Sequence, residues 1–363
     1  MDASWPLQVL ALLGRVTTVL GAYLLTYAVH STVLLLSAWW LVTRRHLAWA
    51  PATQHAIWGV ALVGGWVTSA VQLASPWHPL GGALAIPHET RGAVATVRMV
   101  QERAPHDARA VDPVLPQAAA VRRALLLPPG VSLGEVRLDS TGDADRTRLI
   151  VLAVSGISVA VGAWALVAVL LLGHLVLSRR RLLGLLAARR DASDVLAGSV
   201  LRHLVARAGT TRAIRLSTSD ALPSPAVISC REIVVPSRML YELTLTEQEG
   251  VLAHELAHVV RGDPAWLRLA TCIERAAWFQ PLNHVARRQM QLSAEFAADA
   301  WAARVTRQPL RLAQALARVA EWMSAGTRAS ASHAPGFDGS PLVERVRRLT
   351  SPSPRCPAFE HRL

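Results

Sequence analysis

The chain has 363 residues, of which 52% are hydrophobic and only 17% charged, with a formal net charge of +13. That balance is too apolar for an ordinary soluble domain and points to membrane segments. The basic surplus is all arginine and comes without any nucleic-acid motif or aromatic–basic interleaving, so direct nucleic-acid binding is not expected and an anionic lipid surface or an acidic partner fits better.

The first long apolar run is Val19 to Val42, uncharged and long enough to span a bilayer as a helix. Trp39 and Trp40, followed by Arg44 and Arg45, read as an aromatic anchor and a stop. Residues 5–18 are apolar but carry Arg15 and read as an interfacial lead-in. A cleaved signal peptide fits poorly, because no basic stretch precedes the apolar run. The second run, about 57–74, is uncharged and closed by Pro76 and Pro79. Residues 75–148 are polar and proline-rich and read as an irregular loop or small subdomain. The third run, 149–177, is the strongest, and Arg179, Arg180 and Arg181 follow it directly.

The positive-inside rule then sets an expected topology. The loop at 43–55 and the segment at 178–190 are arginine-flanked and should be cytoplasmic. That puts the N-terminus and the 75–148 loop outside and everything after Arg179 inside. His30 and His174 fall within spans and read as neutral imidazoles hydrogen-bonded to neighbouring helices.

The rest of the chain, 178–350, reads as one domain with a tail at 351–363, and it holds +10 of the net charge. Arg181–Arg190 and Val195–Ala208 read as helices. Ala213–Ser217 and Ile233–Val235 are short β-branched runs with a Pro223-Ser224-Pro225 turn between them, so two or three strands come ahead of the helix that carries His254. The expected class is α+β, mainly α. The three cysteines (Cys230, Cys272, Cys356) are scattered through this region and suit free thiols in a reducing compartment.

The chemistry centres on His254-Glu255-Leu256-Ala257-His258. Two histidines four apart on a helix share a face and can reach one metal ion, and the glutamate between them can take a proton from water there. Thr246 and Glu249 spell a capping box for this helix, Gly262 can end it, and Asp263 with Pro264 can begin the next. Catalytic zinc needs a third protein ligand and one open position. Glu295 is the candidate, on a helix expected over about Leu282–Arg304. Asp299 lies one turn further on the same face, where it can hold a ligating imidazole. His284 is the rival third ligand. Leu310–Ala325 contains Arg311, Arg318 and Glu321, so it cannot span and reads as an amphipathic helix.

The order His254-Glu255-Leu256-Ala257-His258, Arg261-Gly262-Asp263-Pro264, Trp278-Phe279-Gln280-Pro281-Leu282, Arg287-Arg288 and Glu295-Phe296-Ala297-Ala298-Asp299 resembles the BlaR/MecR-type antirepressor membrane metallopeptidases. Pro225 and Ile233-Val234-Val235-Pro236 look similar too. The late segment Ser340-Pro341-Leu342-Val343-Glu344-Arg345-Val346 is also similar to one in the related HtpX and CAAX-protease group. The resemblance implies a zincin (gluzincin)-type domain in a bacterial cytoplasmic membrane. It implies Zn2+ held by His254, His258 and Glu295, with Glu255 as general base and Asp299 behind a ligand. It further implies a signalling peptidase that cleaves itself or a BlaI/MecI-like repressor, and it leaves open a homodimer. The C-terminal penicillin-binding sensor of the β-lactam receptors has no counterpart here. Tyr241, His333 and Arg345 are candidate donors to an oxyanion. Two other readings compete: a non-catalytic receptor with structural zinc, and a general membrane quality-control peptidase.

Overall fold

The computed structural model describes residues 5–44, 49–74, 141–329 and 340–351. It is mainly helical. Helix α1 spans Trp5–Thr43, α2 Pro51–Ala74 and α3 Thr141–Leu185. Within them Val16–Thr43, Pro51–Ala74 and Ser155–Leu185 are long and apolar enough to cross a membrane. These helices outrun the apolar stretches. Residues 5–18 are not a separate lead-in but the start of α1, and α3 runs through Arg179, Arg180 and Arg181 to Leu185. Arginine is a good helix former, so a charge that would end a hydrocarbon span leaves the hydrogen-bonded helix intact. Most of the expected 75–148 loop lies outside the described residues, and its last eight positions are helical.

The described residues form two compact units. The first comprises residues 5–26, 72–74 and 141–163. There Thr17 Oγ1 lies 2.9 Å from Ser158 Oγ, and a Cβ added at Gly21 would meet the Ile157 side chain at 3.1 Å. Small residues thus let α1 and α3 approach closely, as is usual between apolar helices.

The second unit comprises residues 27–44, 49–71, 164–329 and 340–351. Its four-stranded sheet has the order β1 (Arg190–Asp191), β2 (Arg215–Thr218), β4 (Glu232–Val235), β3 (Ala226–Ser229). Strands β2 and β4 are parallel, and β1 and β3 pair antiparallel on the two flanks. All four residues of β4 are buried, which its β-branched sequence favours. Its one carboxylate, Glu232, is taken by Arg189 (2.6 and 3.1 Å) and by the Ser217 hydroxyl (2.8 Å). No helix covers Arg181–Arg190: its first residues end α3 and its last opens β1. The next helix, α4, is Leu196–Arg207.

After β4, a single turn α5 (Met239–Glu242) leads to α6 (Leu245–Arg261), then α7 (Asp263–Ala276), α8 (Pro281–Thr306), α9 (Pro309–Ala329) and α10 (Ser340–Thr350). Helix α6 is the centre of the domain. Leu252 and Leu256 on it pack with Leu201 and Leu204 of α4, Ile233 of β4 and Leu312 of α9. Its capping box is Thr244 with Glu247, two residues before the expected Thr246 and Glu249. The sequence spells Thr-x-x-Glu at both registers. Only Thr244 has the extended backbone of a cap, and Glu247 Oε2 accepts from its N–H at 2.8 Å. A cap of this kind contributes about 1 kcal/mol. The helix ends at Gly262, whose φ of 70° is left-handed.

Candidate metal centre

His254 and His258 are one turn apart on α6, so their rings share a face. Their Nε2 atoms lie 3.2 Å apart. Glu295 enters from α8, which packs along α6. Its Oε2 is 3.4 Å from His254 Nε2 and its Oε1 3.8 Å from His258 Nε2. The three ligand atoms lie within 4.8 Å of one another. His284, the rival, is elsewhere: it is exposed, and its Nδ1 faces Glu274 Oε1 at 3.0 Å.

The chemistry of this donor set fits a divalent cation. Each imidazole has a carboxylate behind its other nitrogen. Asp263 Oδ2 accepts from His258 Nδ1 at 2.8 Å, and Asp299 Oδ1 lies 2.9 Å from His254 Nδ1. When each ring is neutral, a proton held at Nδ1 leaves the Nε2 lone pair free, so both rings can present an acceptor to the point that Glu295 faces. Two imidazoles and a carboxylate leave one position for a small molecule.

Asp263 was expected to cap α7 and does not. Gly262 turns the chain back on itself, so the first residue of α7 returns its carboxylate to the last turn of α6. There it meets His258 and also Arg261 at 3.1 Å. Pro264 does stand in the first turn of α7.

Arg345 of α10 closes the cluster. Its Nε and Nη2 form a bidentate pair with Asp299 (2.7 and 2.8 Å), Nη1 reaches Glu295 Oε2 (2.8 Å) and Nη2 stands 3.4 Å from His254 Nε2. Arg348, on the same helix, lies over the Phe296 ring at 3.8 Å and seats α10 on α8. Of the donor candidates within the described residues, Arg345 is the one at the cluster. Tyr241 is on α5 with its side chain 75% exposed, and His333 lies outside the described residues.

The charges are strongly coupled. Burial opposes a charged His254, but Asp299 and Glu295 outweigh it and raise its pKa to about 10. Burial likewise opposes ionisation of Glu295, and His254 and Arg345 overcome it, holding the carboxyl to about 2. Asp299 is held well below the carboxylate range against its burial, by Arg345 and then His254. Glu255 differs: burial dominates and pushes its pKa up, with Glu295 adding to the rise.

The cluster forms the floor of a cleft of about 650 Å³. Ala226 and Val227 of β3, the outer strand of the sheet, line it on one side, and Leu316, Val319 and Leu342 line it on another. A family model described as BlaR1 peptidase M56 matches residues 22–349. No curated protein matches the chain.

Proposed function

Because the chain belongs to the BlaR1 peptidase M56 family, and is therefore a membrane metallopeptidase, we propose that it is a zinc endopeptidase of the gluzincin type. The observation that carries this reading is the convergence of His254 Nε2, His258 Nε2 and a Glu295 oxygen within 4.8 Å, beside the buried Glu255. His254, His258 and Glu295 would hold the ion. When bound, zinc supplies a Lewis acid that makes water more acidic and polarises a carbonyl.

The chain's own residues supply the remainder. An extended substrate lies in the cleft along β3, whose outer position leaves, among the described residues, an edge without a strand partner for main-chain pairing. Glu255 takes a proton from the water that attacks the scissile carbonyl. It then delivers that proton to the amide nitrogen as the C–N bond breaks. Its upward-shifted pKa suits both halves of this exchange. Asp263 and Asp299 hold the two imidazoles in the tautomer with Nε2 free. Arg345 positions Asp299 and Glu295, and its guanidinium, standing at the cluster, is the candidate donor to a developing oxyanion. By the same reading the domain is cytoplasmic, the N-terminus is outside, and the substrate is a cytoplasmic repressor or the chain itself.

The test is Glu255→Gln. The variant is expected to keep its metal and lose cleavage by about 10²-fold or more, the scale of a lost general base. Comparative proteomics of cells carrying either form should show one new N-terminus, inside a small DNA-binding protein, in the wild type alone. Full proteolysis by the Gln variant would sink the mechanism, and a broad set of stabilised membrane proteins would sink the signalling role.

A further inference from the structure

Helices α7 and α8 form a hairpin whose tip, residues 277–280, meets the apolar helices far from their domain-side ends. Gln280 Nε2 reaches Ala28 O (3.1 Å), Ser31 Oγ (2.9 Å) and Thr32 Oγ1 (2.9 Å) on α1. Asn283 Nδ2 donates to Tyr27 Oη at 2.8 Å. The Tyr27 ring meets Trp66 of α2 at a tilt (4.7 Å) and Phe279 edge-on (6.3 Å). On α3, Trp164 Nε1 donates to Ala276 O at 2.8 Å.

Each of the three helices gives a depth. At about 1.5 Å per residue, Thr32 and Ala28 are about 18 and 24 Å from Arg44 along α1. Trp66 is about 22 Å from Pro51 along α2, and Trp164 about 22 Å from Arg179 along α3. A bilayer's hydrocarbon half-thickness is about 15 Å. Allowing for headgroups and tilt, all three helices put the hairpin tip near mid-bilayer.

The sides of the hairpin agree. His55 Nδ1 lies 3.0 Å from Met290 O, so α8 runs beside α2 in the opposite direction. Eleven residues separate Trp66 from His55, and eleven separate Phe279 from Met290. The two helices therefore keep level from the tip outwards. Trp58, Leu62, Ala270, Ile273, Ala286 and Met290 form one apolar core across this contact.

We infer that α7–α8 is a re-entrant membrane hairpin whose free face is covered by lipid acyl chains. On α7 that face is Trp266, Leu269 and Cys272, exposed at three-residue spacing, and the tip adds Trp278. An apolar stripe continuous with three spanning helices is what acyl chains would cover. Three ionisable groups on the hairpin pair with one another: Glu274 accepts from both His284 and Arg287, as expected of charges at membrane depth. Arg275, half-buried near the tip, is the largest cost of this placement. One consequence concerns the metal centre. Glu295 stands fifteen residues, about 22 Å, from Gln280 along α8, which sets the cleft floor at headgroup level, where a substrate segment next to a membrane surface would be presented.

This inference does not depend on peptidase activity, and two native thiols test it. Cys230 and Cys272 are both exposed, one between β3 and β4 and the other on the stripe. With Cys356→Ser, adding either Cys230→Ser or Cys272→Ser leaves one of them in the full chain in lipid nanodiscs. A nitroxide on Cys272 should collide more with oxygen than with a water-soluble nickel chelate, and one on Cys230 the reverse. A charged maleimide should label Cys272 at least about tenfold more slowly than Cys230, because a charged reagent partitions poorly into hydrocarbon. Nickel collisions and labelling at Cys272 equal to those at Cys230 would overturn the hairpin. So would low collision with both reagents, which means protein cover.

Discussion

Helix α8 takes part in two buried polar networks, one near each end, and they are made of different chemistry. Towards its C-terminal half, Glu295 and Asp299 join His254, His258, Asp263 and Arg345 in a cluster of ionisable groups. At its N-terminal end, Gln280 and Asn283 join Tyr27, Ser31 and Thr32 through amides and hydroxyls alone. The difference reflects the task of each end. A metal site needs charge, and charge in a low-dielectric surround is tolerable only when every member is paired. A contact between helices at membrane depth needs no charge, and neutral groups are far cheaper to desolvate. One helix therefore acts as a chemical arm at one end and an anchor at the other.

Two substitutions probe the charged end. Glu295→Ala removes one of three candidate ligands and should lower metal affinity by more than about 100-fold, beyond what supporting groups behind a ligand usually supply. Elemental analysis of the dialysed protein measures this, and a full metal complement would remove Glu295 from the ligand set. Asp263→Asn keeps an acceptor near His258 but removes its charge. Its expected effect is a 10–100-fold weaker affinity, read by competition with a chromophoric chelator. An unchanged constant would mean that the 2.8 Å contact to His258 Nδ1 does not tune the site.

A third ion pair lies away from the cleft. Glu232 is held below its ordinary pKa by the Arg189 hydrogen bonds, which, with Ser217, outweigh its burial. A depressed carboxyl stabilises the fold above the unfolded-state value, and that contribution is lost as pH falls through the lower, folded value. Glu232→Gln should therefore cost about 1–2 kcal/mol at pH 7 and flatten the loss of stability below about pH 4.5. Denaturation midpoints at several pH values give both quantities, and parallel curves for the two proteins would exclude the linkage.

Much of the charged end was legible in the sequence because its spacing is local. The i and i+4 histidines and the Glu295 to Asp299 step each lie on one helical face. What sequence reading missed was set by chain reversals and tertiary packing. The left-handed Gly262 sends Asp263 back to His258, whereas linear reading makes it a helix cap. Arg345, which the sequence offered only as one of three candidate oxyanion donors, arrives from a helix fifty positions beyond Glu295, and no periodicity records its pairing with Glu295 and Asp299. The choice between Thr244 and Thr246 depended on backbone angles, not on residue type. Apolar runs located three helices but not their ends, because hydropathy reports where hydrocarbon stops and not where hydrogen bonding does. The anchor end was opaque for a related reason: α7 and α8 carry too many charges to resemble spans, and only their contacts with α1, α2 and α3 reveal their depth.

The neutral end should respond least to substitution, and Gln280→Leu shows why. The Gln280 amide has two protons for three acceptors within 3.1 Å, so no more than two bonds exist at once. Removing them strands nothing on α1, because the Ser31 and Thr32 hydroxyls both donate to Ala28 O, at 3.2 and 2.6 Å, and the cap that Gln280 Oε1 offers to Leu282 N at the start of α8 is long, at 3.5 Å, and weak. The cost is then the net worth of a hydrogen bond between membrane helices, about 0.6 kcal/mol, and not the larger penalty of an orphaned polar group. Asn283→Leu should cost more, up to about 1.7 kcal/mol, since it removes two hydrogen bonds with the buried Tyr27 hydroxyl, one in each direction. Unfolding of both variants from bilayers or mixed micelles, with metal content measured alongside, tests the separation of the two ends. The order Asn283 above Gln280, with metal affinity untouched in both, is the expected result. A drop in metal affinity in either variant would show that α8 couples the two networks, and that its anchor also sets the geometry of its arm.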